Sequence, residues 1–168
     1  MLKKLFLLLL VVAPLSMVAQ DKFAYINSQE IFSKMPELPG VQAKLKAKSD
    51  DIQKKAAAIE KEYTDTVTKY TGLPKDAPQS EREDLEKQIQ QIQERFETFR
   101  QASAQELQKE EQTLVTPLYQ KLQTAIKEVG DEHGYTYIID SASQTMVYIS
   151  TNATDVSKLV KTKLGITE

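Results

Sequence analysis

The chain has 168 residues with no Cys, no Trp, one His, five Gly and six Pro, 27% charged residues and a formal charge of -2. That length allows one domain with an appendage, and the missing Cys excludes disulfides, thiolate metal sites, a Cys nucleophile and a lipid-anchored Cys. The glycines stand at 40, 72, 130, 134 and 165, too scattered for a phosphate-cradling loop, which argues against an ATP- or dinucleotide-using enzyme.

Lys3 and Lys4 precede an apolar run over 5–13 and then Pro14 with small or polar residues. As a helix that run rises only about 14 Å against a hydrocarbon core of roughly 30 Å, so 1–19 reads as a secretory signal peptide cleaved after Ala19. Its removal takes away two Lys and leaves a more acidic mature chain outside the cytoplasm, where no nucleotide pool is at hand.

Phe23-Ala24-Tyr25-Ile26-Asn27 predicts a strand, and Asn27 with Glu30 three residues on predicts an N-cap opening a short helix through Ile31, Phe32 and Lys34. Pro36 and Pro39 end it, and Pro39 suits the first turn of the next helix. Over 40–70, Leu45, Ile52, Ala56, Ile59, Tyr63, Val67 and Tyr70 step mostly by three or four among charged and polar residues, which predicts a long helix with one narrow apolar seam. Gly72, Pro74 and Pro78 break it, and Ser80 with Glu83 reads as a capping box that restarts a helix. Leu85, Ile89, Ile92, Phe96 and Phe99 continue the seam, so the two helices make an antiparallel hairpin.

The second helix extends to about residue 131, roughly 75 Å against 45 Å for the first, so its last turns need another partner. There Leu114, Val115, Leu118, Tyr119, Leu122, Ala125, Ile126 and Val129 make a wider apolar face, with Pro117 expected to bend the helix. Gly134 closes it. Tyr135-Thr136-Tyr137-Ile138-Ile139-Asp140 and Thr145-Met146-Val147-Tyr148-Ile149 predict two strands around a polar Ser141-Ala142-Ser143-Gln144 turn. Thr154-Asp155 predicts the start of a last helix with Val156, Leu159, Val160 and Leu164 on one face, ended by Gly165. The predicted fold is α+β and mostly α: a small strand body formed by 20–39 and 112–168, carrying a helical-hairpin, coiled-coil arm over 40–111. Three short strands offer little core and leave pairing edges, so oligomerisation through the body is expected.

The order of elements and several runs resemble the Skp/OmpH family (outer membrane protein H family) of periplasmic chaperones over essentially the whole mature chain. The runs are Phe23-Ala24-Tyr25-Ile26-Asn27 into Ile31-Phe32-Ser33-Lys34-Met35-Pro36, Leu114-Val115-Thr116-Pro117 through Ala125-Ile126 to Val129, Tyr135-Thr136-Tyr137-Ile138-Ile139-Asp140, and Asn152-Ala153-Thr154-Asp155-Val156. The resemblance implies a homotrimer whose strands form a joint body, here through Tyr25, Ile26, Tyr137, Ile138, Ile139, Val147 and Ile149. It also implies an ATP-independent holdase that encloses unfolded outer-membrane β-barrel proteins between three arms. Candidate client contacts are Tyr63, Tyr70, Phe96 and Phe99, whose seam spacing equally makes them arm core, and Leu73 at the tip. Familiar members are strongly basic whereas this chain is acidic, so a lipopolysaccharide site is not carried over and peripheral contact with a membrane or lipopolysaccharide is left open.

Other readings are weaker. The lysines at 44, 46, 48, 54, 55 and 61 are interrupted by Asp50, Asp51 and Glu60, a solvated mixed face rather than a nucleic-acid surface. His133 beside Asp131 and Glu132 lacks a convergent ligand set for a metal, and no cofactor is called for. A non-chaperone coiled-coil scaffold or adaptor of the cell envelope is the alternative; an enzyme would need a polar constellation that the sequence does not offer.

Overall fold

The computed structural model describes residues 21–143 and 146–167; the expected leader, 1–19, and Gln144 and Thr145 of the expected turn and strand lie outside them. Strand β1 (Phe23–Ile26) leads into α1 (Ser28–Ser33), α2 (Leu38–Thr71), α3 (Gln79–His133), β2 (Tyr137–Asp140) and α4 (Ser157–Lys163). The fold is mostly helical with one small sheet.

The two strands pair in parallel, Phe23 opposite Tyr137 and Ile26 opposite Asp140. Parallel neighbours need a crossover, and here the crossover is α1 with the entire hairpin of α2 and α3. On the other edge of β1, the Tyr25 amide donates to the Thr154 carbonyl at 2.9 Å and the Val156 amide to the Tyr25 carbonyl at 3.0 Å. This corrects the expected third strand at 145–149: residues 146–150 form no strand, and the place beside β1 belongs to 154–156. The run Met146-Val147-Tyr148-Ile149 has strand composition, yet both sides of β1 are already taken. Val147 is 97% exposed and Tyr148 80%.

Local chemistry sets the helix ends. Asn27 caps α1, its Oδ1 accepting from the Glu30 amide at 2.9 Å, and Asp140 accepts from the Ser28 amide and hydroxyl, tying β2 to the same end. Pro39 sits in the first turn of α2. The expected capping box at Ser80 does not form. Pro78 stands before α3 in extended conformation and its carbonyl accepts from the Glu81 and Arg82 amides, so the helix begins at Gln79 and Ser80 lies inside it. The helix continues through Pro117 and ends at Gly134, whose φ of 65° is the left-handed conformation that only Gly adopts freely. Helix α4 starts later than expected: 154–156 is spent on β1, and the Asp155 carboxylate accepts from the Ser157 amide at 2.8 Å. Val156, Val160 and Leu164 are buried while Leu159 faces outward, a departure from the single apolar face expected.

The core lies at one end. Ala24, Ile26, Ile31, Met35, Val41, Leu118, Leu122, Ala125, Val129, Val156, Val160 and Leu164 form it, and no core member lies beyond Leu45 on α2 or before Leu114 on α3. Outward from there the molecule is two antiparallel helices. Contact partners fall in number along α3 as they rise along α2: Lys48 with Glu106, Glu62 with Arg95, Tyr70 with Glu86. At 1.5 Å per residue the 34 residues of α2 span about 51 Å.

Candidate functional site: the arm and the exposed face of the base

A two-helix arm buries one stripe and no more. Ile92 is its one buried large apolar residue outside the base; Ile52, Ile59, Tyr63, Val67, Ile89, Phe96 and Phe99 remain half-buried. Two small polar residues, Thr66 and Ser103, are also buried on the arm, and Thr66 Oγ1 donates to the Glu62 carbonyl at 2.7 Å, so its hydroxyl is satisfied.

The two sides of this stripe differ. On one, Lys48 Nζ meets Glu106 at 2.5 Å and Arg95 pairs with Glu62, both bridging α2 to α3. The Glu106 hydrogen bond raises the Lys48 pKa. On the other, Ile59, Tyr63, Ile92 and Phe96 line a hollow of about 360 Å³, and Ile52, Ala56, Phe99, Ala104 and Leu107 line a second of about 440 Å³. Gln93 Nε2, donating to the Tyr63 hydroxyl at 3.2 Å, crosses this side.

The candidate contact residues separate accordingly. Tyr63 and Phe96 meet in the first hollow and Phe99 joins the second. Tyr70 lies nearer the tip with its hydroxyl on Glu86 at 2.5 Å, which raises its pKa. Leu73 lines a hollow at the tip with Lys69, Asp84 and Gln88, away from the other aromatics. Ile52, Ile59 and Leu107 were not among the candidates: the seam period placed the first two against the partner helix, and only the roll of one helix on the other exposes an edge of them.

The base carries a second surface. Phe23 and Tyr137, opposite each other in the parallel register, stack with centroids 5.4 Å apart while each remains more than half exposed. Ile139, Val147 and Tyr148 are exposed too; Tyr25, Ile138 and Ile149 are half-buried. Ile26, by contrast, is 2% exposed and belongs to the core of its own chain. Its side chain holds β1 in place and is not available to another subunit. Among the described residues β2 pairs only with β1, so its far edge offers free backbone groups beside these exposed side chains. Phe23 and Tyr148 were not among the residues expected to assemble, although the two expected strand runs named both.

Charges near the core are structural. Lys161, nearly buried on α4, reaches Glu30 at 2.8 Å, and Lys34 reaches the same oxygen at 3.0 Å. Lys161 foremost, and then Lys34, pull the Glu30 pKa down to about 2. Burial pushes the Asp140 carboxyl up, but bonds from Ser28 and Ala142 outweigh it and its pKa is lowered. Lys22 Nζ caps the end of α3 at the His133 carbonyl, 2.8 Å away, and lies 4.3 Å from the Tyr135 ring centroid. Among the described residues no group of three His, Cys, Asp or Glu is placed to hold a metal, and no helix is long and apolar enough to cross a membrane.

These features have counterparts in known proteins. Residues 22–164 match the family model described as outer membrane protein (OmpH-like). The chain is 31% identical over 147 residues to the chaperone protein Skp of Photorhabdus laumondii, covering 85% of this chain and 87% of that one. It is 28% identical to the chaperone protein Skp of Vibrio cholerae, covering 74% of each. The fold superposes with a TM-score of 0.72 on a putative outer membrane chaperone (OmpH-like) from Caulobacter crescentus, at 17% identity, over 86% of this chain and 83% of that one. The curated relatives are named as chaperones, a class that is not enzymatic. With its matching family model, its relatives and its arm-on-base architecture, the chain belongs to the OmpH-like outer membrane protein family.

Proposed function

We propose that this protein is an ATP-independent periplasmic holdase, exported by a cleavable leader at 1–19, that keeps unfolded outer-membrane β-barrel proteins soluble between the arms of a homotrimer. The observation that carries the reading is the long, thinly packed arm on a compact base in a chain of a chaperone family. In this account 20–39 and 112–168 form the assembling body and 40–111 the arm. The exposed face of Phe23, Tyr137, Ile139, Val147 and Tyr148 supports association, because a small chain rarely leaves so much apolar surface without a partner. Half-buried arm side chains favour many weak contacts, each reversible alone, and their combined effective concentration holds a client that later leaves without nucleotide.

Light-scattering mass, measured on the protein alone and after mixing with a urea-diluted outer-membrane barrel, tests this reading. A mass near three chains that takes up a soluble client is the expected result. A monomer that leaves the barrel to aggregate would sink the holdase and return the protein to the scaffold class. Val147→Asp sharpens the test: 97% exposed, Val147 contributes nothing to the core of its own chain, so the variant should keep its circular dichroism while the assembly dissociates.

A further inference from the structure

The two sides of the arm are unequal enough to carry different work. Along α3, Gln93, Glu97, Arg100 and Ala104 recur at i, i+4, i+7 and i+11 and share one stripe; Gln88, Gln91, Arg95 and Glu106 fall on the other. The second side is spanned by the Lys48–Glu106 and Arg95–Glu62 bridges and keeps one smaller hollow of about 300 Å³, lined by Glu62, Gln88, Gln91, Ile92 and Arg95. On the first, no ion pair joins the helices among the described residues, and its two hollows follow each other along the seam.

The geometry points to this open side as a docking groove for an extended segment of unfolded polypeptide, with apolar side chains turned inward and neutral or positive charge at its flanks. It rests on the holdase reading of the arm and adds where on the arm, and to what chemistry, a client binds. Three observations select the occupant. From Ile52 to Thr64 the groove runs about 18 Å along α2, a length that five or six residues of extended chain cover at about 3.3 Å each. Its rim carries neutral hydrogen-bonding groups, Gln93 and Gln101 among them. Such amides serve the free N–H and C=O groups of an extended chain, which a docked helix would already have satisfied internally. Of the rim charges, Arg100 lies 3.4 Å from Glu97, which leaves the Glu60 carboxylate to favour a cation on the occupant.

The absence of cysteine makes the test clean. Gln93→Cys on the groove side and Gln91→Cys on the bridged side each place one thiol at an exposed position of the same helix turn. Labelled with a benzophenone maleimide, mixed with a urea-unfolded outer-membrane barrel and irradiated, Gln93→Cys should yield several-fold more adduct with the barrel. An excess of a short peptide alternating Val and Thr, with Lys at its ends, should reduce that adduct more than the same peptide ended with Glu. Equal adduct from both positions while the barrel stays soluble would overturn the groove and leave the holdase intact. Adduct between copies of the chain without barrel, or stronger competition by an amphipathic helical peptide, would also overturn it. Aggregation of the barrel beside unlabelled protein would remove the holdase reading itself, and the groove with it.

Discussion

Helix α3 runs through two environments. In the base, Leu118, Leu122, Ala125 and Val129 are all buried, whereas between Gln79 and Glu111 only Ile92 and Ser103 are. The base half meets β2, α1 and α4 as well as α2, while the arm half meets α2 alone. Stability should therefore be concentrated at one end of a single continuous helix. Local opening follows the density of buried contacts, so the arm can loosen around a client while the base keeps its fold.

The contrast can be broken most forcefully at Ile31, fully buried in the core. Ile31→Ala should cost about 2–5 kcal/mol and lower the urea midpoint of the whole chain. Ile92→Ala removes the corresponding anchor of the arm and should cost about 2 kcal/mol, the low end of that range, since a two-helix seam can close around the gap. Its signature is faster amide exchange in the middle of the arm with the base unchanged. If Ile92→Ala lowered protection in β1 and α4 equally, arm and base would be one cooperative unit and the contrast would be wrong.

Acid sharpens it from the base side. A carboxyl whose folded pKa lies below its unfolded one stabilises the fold above the unfolded value and loses that contribution as the pH falls through the folded one. For Glu30 the window runs from about 4.5 down to about 2. The urea midpoint of Glu30→Gln should fall less steeply across this window than that of the unsubstituted protein; parallel curves would mean that the Lys161 and Lys34 contacts add nothing. The smallest effect is expected on the bridged side of the arm. Arg95→Ala removes a solvent-exposed ion pair, each partner about half exposed, and should cost less than about 1 kcal/mol, most visibly at low salt.

Much of this was legible in the residues. The steps of three and four through Ile52, Ala56, Ile59 and Tyr63, the wider face from Leu114 to Val129, and the prolines at 36, 39, 74 and 78 place the long helices within a few residues, because period and punctuation are local properties. The family resemblance rested on runs that lie in the base. What was not legible depends on partners. The run Met146-Val147-Tyr148-Ile149 has strand composition but pairs with no strand among the described residues, while Thr154-Asp155-Val156, which looks like a helix start, pairs with β1. Composition says that a segment suits a sheet; it does not say which edge is vacant. Ile26 and Ile138 looked alike with the exposed strand residues for the same reason, since alternation gives two faces and not which one the helices cover. The two-sidedness of the arm was hidden too, because a helical period marks the seam and leaves the roll about it undetermined.

Hydrogen exchange on the intact protein, with and without a urea-diluted outer-membrane barrel, tests the division between arm and base most directly. The account predicts fast exchange over 46–110 in the free protein, slow exchange in β1, the base half of α3 and α4, and client-induced protection confined to the arm, strongest around 52–64 and 92–104. Protection gained in the base alone, or an arm that exchanges as slowly as the base before any client is added, would contradict it.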